Sequence, residues 1–226
     1  MRILIVHNAY QQRGGEDAVV DAEAGLLVAA GHDVEKLIVS NDEVTSFAHR
    51  VGATLSAPFN PERKRWMANE VRRFRPDIVH IHNFFPLLSP SVHEGAAEAG
   101  AAVVQTHHNY RLICAAATFL RNNEVCTKCL DGSALWGVVH RCYRGSVVGS
   151  AAIVGMQSSY RRHAIDNGSV HRFVVLADFA RALFARSGVP DDRIVVRPNF
   201  VPDRLRAARP RAGALFVGRL SPEKGA

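Results

Sequence analysis

The sequence predicts an α/β protein with a Rossmann-like, mostly parallel sheet and helices on both of its faces. Short apolar, β-branched runs alternate along the chain with segments of helical periodicity. Two of these runs, residues 77–83 and 101–109, flank a short predicted helix that ends at Gly100. A strand, helix, strand unit requires a right-handed crossover and parallel strands. Both runs end in histidine and asparagine, so these side chains are expected together at the carboxyl edge of the sheet, where open α/β sheets bind ligands.

The remaining elements complete one domain over residues 1–197. We predict strands at 2–6, 33–40, 172–176 and 193–197, and helices from Glu16 to Gly31, over most of 42–75, at 146–165 and at 178–187. Residues 112–145 break the alternation and form a cysteine-containing insertion. Residues 198–212, rich in proline and arginine, are predicted to be a linker. Residues 214–218 are predicted to be the first strand of a second domain, of which 213–226 is the beginning.

Composition limits the function classes. The 226 residues are 47% hydrophobic and carry a net charge of +7, which favours anionic partners such as nucleotides, pyrophosphates, anionic lipid or nucleic acid. The N-terminus enters a strand without a targeting signal, and the apolar segment 146–156 is too short to span a bilayer, so we expect a cytoplasmic protein. Two interpretations of the function therefore stay open, an enzyme and a nucleotide- or nucleic-acid-binding module. Nucleic acid is the less favoured partner, because aromatic and basic residues interleave only within 63–75.

The residue pattern of segment 61–75 predicts a basic amphipathic helix. Trp66, Met67, Val71 and Phe74 recur at helical spacing among six basic residues. Such a helix can lie on an anionic membrane surface. It can equally pack its apolar side into the core and leave a solvated basic back, and the sequence favours this second interpretation.

Gly14 and Gly15 precede the first helix. They do not match the dinucleotide fingerprint, so their simplest interpretation is a tight turn. The functional alternative is that two residues without a Cβ allow a phosphate or sugar to approach the backbone at a helix N-terminus.

Two sets of residues are candidate metal ligands. His80 and His82 alternate along their strand and point to one side, but no carboxylate or third histidine has an obvious spacing, so a simple hydrogen-bonding role is favoured over zinc. The cysteines are the second set, with a Cys-x-x-Cys pair between two single cysteines. We predict a structural four-thiolate zinc site; redox chemistry and unligated thiols are the alternatives. The four residues are Cys114, Cys126, Cys129 and Cys142.

Six stretches in order resemble the N-terminal half of a family 4 glycosyltransferase of the two-domain GT-B type. They are the Gly-Gly-Glu turn at 14–16, the runs 77–86 and 105–111, the strand and helix at 174–180, the Val-Arg-Pro-Asn of 196–199, and residues 216–225, which resemble the opening of a donor-binding domain. The family's two-glutamate donor motif has no counterpart in this sequence. The resemblance therefore implies an acceptor-binding domain that is inactive by itself.

This resemblance implies transfer of a sugar from a nucleotide-diphosphate sugar to an acceptor hydroxyl, with retention and without a catalytic metal, in polysaccharide or glycolipid synthesis. His108 matches the family's active-site histidine. The donor would be held by Gly14, Gly15, Arg219 and Lys224. The acceptor, a sugar or a lipid-linked sugar, would be held by Glu16, His82, Asn83, Asn109, Tyr110 and Arg111. Lipid-linked acceptors in related enzymes imply a peripheral position at the inner face of the membrane.

Overall fold

The computed structural model describes residues 1–41, 47–201 and 213–217. Among these residues, six strands form one sheet and two short strands form a separate hairpin. The strands are β1 Arg2–Ala9, β2 Asp33–Ser40, β3 Ile78–Asn83, β4 Ala102–His107, β5 Leu120–Arg121, β6 Glu124–Val125, β7 Arg172–Val175 and β8 Ile194–Val196. The helices are α1 Gly15–Ala29, α2 Phe47–Ser56, α3 Pro61–Phe74, α4 Ser91–Glu98, α5 Lys128–Asp131, α6 Trp136–Val139, α7 Val147–Tyr160 and α8 Asp178–Arg186.

The sheet has the order β2-β1-β3-β4-β7-β8, and every neighbouring pair is parallel. This confirms the predicted Rossmann-like α/β class. The chain runs from β1 to β2 on one side and then crosses back to place β3 on the other side of β1. The carboxyl ends of β1 and β3 therefore flank a topological switch point, the usual ligand crevice of an open α/β sheet.

Helices cover both faces of the sheet, as predicted. Side chains alternate between the faces along a strand. In β1, Ile3 and Ile5 pack against α1, whereas Leu4 and Val6 belong to the larger cluster that includes the buried side of α3. The first strand is also longer than predicted. It continues to Ala9 and so carries His7 and Asn8, which are buried, to the carboxyl edge.

The apolar side of α3 lies in the core. Met67, Val71 and Phe74 are buried, and Trp66 packs against the same cluster. Asn60 caps the helix by accepting hydrogen bonds from the first-turn amides. The core-packing interpretation of the amphipathic pattern is therefore correct, and the apolar stripe is not available for insertion into a membrane.

The insertion consists of the β5–β6 hairpin and the short helices α5 and α6. α6 packs on α7, which re-enters the α/β alternation and continues into a π-helical turn at Arg161–Asp166. None of the helices in the described parts of the chain is both long and apolar enough to cross a bilayer.

One predicted strand is absent. Residues 214–217 have no regular structure, and Leu215 and Val217 are largely exposed. No strand of the described ranges pairs with this segment, and an extended segment without a partner cannot satisfy its backbone groups as a strand does. Residue 218, the linker residues 202–212 and the segment 219–226 lie outside the described residues.

Candidate functional site

The two histidine and asparagine strand ends meet at the carboxyl edge, as the sequence predicts. β3 and β4 are parallel neighbours, which places His82 beside His108. Their rings stack with centroids 5.3 Å apart, and His82 Nδ1 lies 3.0 Å from His108 Nε2. Burial lowers the pKa of both imidazoles, and that of His82 falls well below its ordinary value. Both rings are therefore neutral near pH 7.

The two asparagines make the same local turn. The side-chain oxygen of Asn83 accepts a hydrogen bond from the amide of Phe85, and that of Asn109 accepts one from the amide of Arg111. Asparagine favours such turns because its side chain mimics a backbone acceptor. The amide group of Asn83 also donates to the carbonyl of Asn8 in β1. The side chain of Asn83 therefore uses both its oxygen and its amide group to stabilise the loop and strand ends that form the crevice between β1 and β3.

Glu16 brings a carboxylate to this edge from α1. Its Oε1 accepts a hydrogen bond of 3.2 Å from the side chain of Asn109. Its Oε2 is buried and has no partner. Tyr10, which the sequence analysis did not select, lies near the same carboxylate, and burial together with the charge of Glu16 raises the pKa of Tyr10. A buried acceptor without a partner is unusual, because leaving it unpaired costs about 1–3 kcal/mol.

A cavity of about 30 Å³ opens between these groups. That volume corresponds to about one water molecule and is too small for a sugar ring. The described residues at this edge therefore do not enclose a sugar-sized pocket. The cavity is lined by Glu16, His82, Asn83, Phe84, Phe85, Gln105, Thr106, His107, His108, Asn109, Arg111, Leu112 and Met156.

Arg111 and Tyr110 have different surroundings. The guanidinium of Arg111 lies over the rings of Phe85 and Tyr143 at the cavity wall. The ring of Tyr110 contacts Phe119 and packs against the core. Arg111 is therefore placed to meet a ligand in the cavity, whereas Tyr110 contributes mainly to the packing beneath it.

Gly14 and Gly15 start α1 next to this wall. Gly14 is the N-cap, and its amide donates to Asp17 Oδ2 at 2.7 Å. Burial by itself would raise the pKa of Asp17, but the bonds from Gly14 and His7 hold that pKa below its usual value. A Cβ added at Gly15 would meet no atom within 4 Å, and Gly15 is not among the residues with positive φ. The fold itself therefore does not require glycine at position 15, and the helix N-terminus stays open on that side.

The four cysteines share one neighbourhood in the insertion. Burial raises the pKa of the Cys129 thiol to about 11, and the other three cysteines add to this shift. All four are free thiols. The zinc site predicted for them stays a prediction. The two cationic residues expected to hold the donor, Arg219 and Lys224, lie outside the described residues.

Comparison with known proteins gives the family. A family model described as a glycosyl transferase 4-like domain matches residues 14–199. The chain belongs to this family. The resemblance drawn from the sequence motifs is thereby confirmed. A search of curated proteins gives no significant match.

Solved structures similar to this glycosyl transferase 4-like chain are distant. One is the UDP-GlcNAc 2-epimerase from Methanocaldococcus jannaschii, with a TM-score of 0.47 and 10% identity over 87% of this chain and 45% of the epimerase. Another is the lipopolysaccharide outer core galactosyltransferase WaaB in its apo form, with a TM-score of 0.41 and 9% identity over 87% of this chain and 45% of WaaB. The chain spans about half the length of these proteins.

Sequence reasoning missed a third polar residue beside His80 and His82. Glu23 of α1 faces both rings, although its position in the sequence gives no obvious metal-ligand spacing to the histidine pair. A signal was present in the sequence. Glu16 and Glu23 are seven residues apart and share one side of α1 with Val20, which is buried against the sheet.

Proposed function

We propose that this chain is the acceptor-binding half of a glycosyltransferase of the two-domain GT-B type. The reaction would transfer a sugar from a nucleotide-diphosphate sugar to an acceptor hydroxyl, with retention, in polysaccharide or glycolipid synthesis. Membership of the glycosyl transferase 4-like family supports the reaction class. The alternative of a non-catalytic nucleotide- or nucleic-acid-binding module has no comparable support.

The unpartnered Oε2 of Glu16 is the observation that carries the acceptor assignment. Glu16 lines the cavity together with His108 and Arg111. A sugar hydroxyl that donates to Glu16 would satisfy an acceptor that the protein leaves unpaired. Recognition of a hydroxyl by a buried polar group is selective, because an analogue without the hydroxyl restores the unpaired state.

His108 is the proposed catalytic residue. Its imidazole is neutral because burial lowers its pKa, so it can exchange hydrogen bonds with hydroxyl groups at neutral pH. His82 orients it through the 3.0 Å contact between Nδ1 and Nε2. A positioned group of this kind holds an acceptor oxygen near the reacting carbon. No catalytic metal is part of this proposal.

The donor would approach the N-terminus of α1. Positive partial charge at a helix N-terminus and the open space beside Gly15 suit a diphosphate. Arg219 and Lys224 are proposed to neutralise the same group. Because the cavity at the described edge is too small for a sugar ring, we expect residues 1–226 alone to bind the donor weakly and to complete no turnover.

A peripheral position at the inner, cytoplasmic face of a membrane is the proposed location, with a lipid-linked acceptor. Contact would be electrostatic through α3, where Arg65 and Arg72 are exposed, since the apolar side of this helix is buried. Each basic residue near an anionic surface adds about 1 kcal/mol of attraction. Flotation with anionic liposomes at low salt tests this. Unchanged binding by an Arg65→Gln, Arg72→Gln variant would contradict it.

Ligand-observed NMR with residues 1–226 tests the acceptor assignment. The probes are a panel of sugar glycosides and short-chain lipid-linked sugars, beside common nucleotide sugars. We expect acceptor signals that are lost in Glu16→Ala and kept in Asp21→Asn, which removes an exposed carboxylate from the same helix. Micromolar donor binding, or multiple turnovers by this chain alone, would contradict the half-site proposal. Salt-dependent binding of arbitrary DNA without saccharide binding would favour the alternative module.

A further inference from the structure

Three potential metal ligands converge between α1 and β3. Glu23 comes from the sheet-facing side of α1, and His80 and His82 come from alternate positions of β3, which point to the same face. One ligand atom from each residue lies within 4.8 Å of the other two, and among the described residues this is the one group of three or more that meets that limit. His80 and His82 are buried, and the Glu23 side chain is 24% exposed.

The inward-facing nitrogens have unequal partners. His80 Nδ1 lies 2.9 Å from Glu23 Oε1. His82 Nε2 lies 3.6 Å from Glu23 Oε2, beyond hydrogen-bond distance, and has no other partner although the side chain is wholly buried. A buried nitrogen without a hydrogen-bond partner is destabilising, because it has lost its contacts with water and gained none in return. A cation between the three side chains would remove it.

The outward-facing nitrogens are both occupied. His80 Nε2 lies 2.7 Å from Thr106 Oγ1, and His82 Nδ1 lies 3.0 Å from His108 Nε2. This is the arrangement of metal-binding histidines, which use one ring nitrogen for the metal and give the other to a hydrogen-bond partner that fixes the ring. Each ring of the pair is thus already oriented with its remaining nitrogen towards Glu23.

We propose that Glu23, His80 and His82 bind one zinc-class divalent cation through the Glu23 carboxylate, His80 Nδ1 and His82 Nε2. Two imidazoles and a carboxylate suit zinc, whereas magnesium and calcium prefer oxygen ligands. Tetrahedral ligands at about 2.0–2.1 Å from zinc are about 3.3 Å apart. His80 Nδ1 is 2.9 Å from Glu23 Oε1 and His82 Nε2 is 3.6 Å from Glu23 Oε2, so the two nitrogens approach the two oxygens of one carboxylate at distances on either side of that value. The partly exposed Glu23 leaves a path for water to a fourth position.

The cation would act on the candidate acceptor site through His82. Binding at Nε2 keeps the His82 proton on Nδ1, where it donates to His108 Nε2. His108 would then hold its own proton on Nδ1. The cation is therefore a positioning element for His108, and neither Glu23 nor His80 is a catalytic residue.

Zinc titration of metal-free residues 1–226, followed by X-ray absorption at the zinc edge, tests the proposal. We expect a site with nitrogen and oxygen ligands at about 2.0–2.2 Å, distinct from sulfur ligands at about 2.3 Å. Glu23→Gln keeps the size of the side chain and should weaken this site at least 100-fold, a larger loss than the roughly 10–100-fold typical of outer-shell changes. Asp21→Asn, two residues away on the same helix, should bind as the unaltered chain does.

The cysteines require a separate readout. The same titration on Cys126→Ser, Cys129→Ser removes the Cys-x-x-Cys pair, and the nitrogen and oxygen site should persist in it. Circular dichroism checks that each variant is folded, and His80→Gln supplies a second ligand deletion should Glu23→Gln not fold. Zinc held only by sulfur, or equal affinity in Glu23→Gln and Asp21→Asn, would overturn the proposal. A failure to bind saccharides would leave this result unaffected, because zinc binding is measured without them.

Discussion

Acid should destabilise this protein through His107, the last residue of β4. The ring is buried and stacks on Phe184 with centroids 4.3 Å apart and on Phe173 with centroids 5.9 Å apart. Burial lowers its pKa to about 3, with smaller contributions from His93 and His108. The unfolded chain takes up a proton at this position below its ordinary pKa of about 6.5, whereas the folded protein does not. Stability is therefore lost as pH falls from about 6.5 towards 3.

The size of the effect follows from these two pKa values. Between about pH 7.5 and pH 5.5, His107 alone should lower the free energy of unfolding by about 1.4 kcal/mol. His107→Phe keeps an aromatic ring between the same neighbours and removes the titration. We expect the variant to lose about 1.4 kcal/mol less than the unaltered chain over this interval, whatever its stability at neutral pH.

Urea unfolding followed by circular dichroism at the two pH values measures this difference. Val103→Ala, which removes buried methyl groups from the same strand and face, serves as the control. It should lower stability at both pH values and leave the pH dependence unchanged. Equal losses, within about 0.5 kcal/mol, in His107→Phe and in the unaltered chain would show that His107 is not held neutral by burial.

Three further predictions concern the scaffold. Gly95→Ala should destabilise the protein by about 1–3 kcal/mol in the same urea experiment, because a Cβ there would collide with the Lys64 carbonyl where α4 meets α3. Gly25→Ala is the control: a Cβ at Gly25 would meet no atom within 4 Å, so this variant should be neutral or stabilising. Asn60→Ala should cost about 1 kcal/mol through loss of the α3 cap; a change below about 0.2 kcal/mol would contradict the capping role. The insertion should bind zinc through its cysteine thiolates. Thiol titration and metal analysis of untagged protein will check this prediction. Less than about a tenth of an equivalent of sulfur-bound zinc, with all four thiols reactive, would contradict it. Its ligands would be Cys114, Cys126, Cys129 and Cys142.

Local patterns in the sequence were sufficient for the order of elements and for the main edge of the site. A short β-branched run predicts a strand such as β3, and the crossover of a strand–helix–strand unit is right-handed. Consequently, the sequence alone predicts that His82 and His108 lie at the same edge of the sheet. The asparagine that follows each histidine predicts a turn for the same local reason.

Other features depended on contacts between distant residues. The amphipathic pattern of α3 fits both a membrane surface and a protein core, and only the packing of Met67 and Phe74 beneath the sheet decides between them. The predicted strand at 214–218 had the right composition, but residues 214–217 have no partner among the described strands. A strand is stabilised by pairing with a neighbour, and the sequence of the segment alone does not supply that neighbour.

Local patterns in the sequence therefore predict the fold class, the family and the histidine edge. Glu16 is expected at that edge through the family resemblance, whereas the contact of Glu23 with the histidines is visible only in the folded protein. Glu23 lies more than fifty residues from the histidines it approaches, and a helix periodicity does not say what the buried side of the helix will meet. The packing of α1 onto the sheet fixes these contacts. The rotation of the helix about its axis is set by the packing of apolar residues such as Val20 rather than by its polar residues.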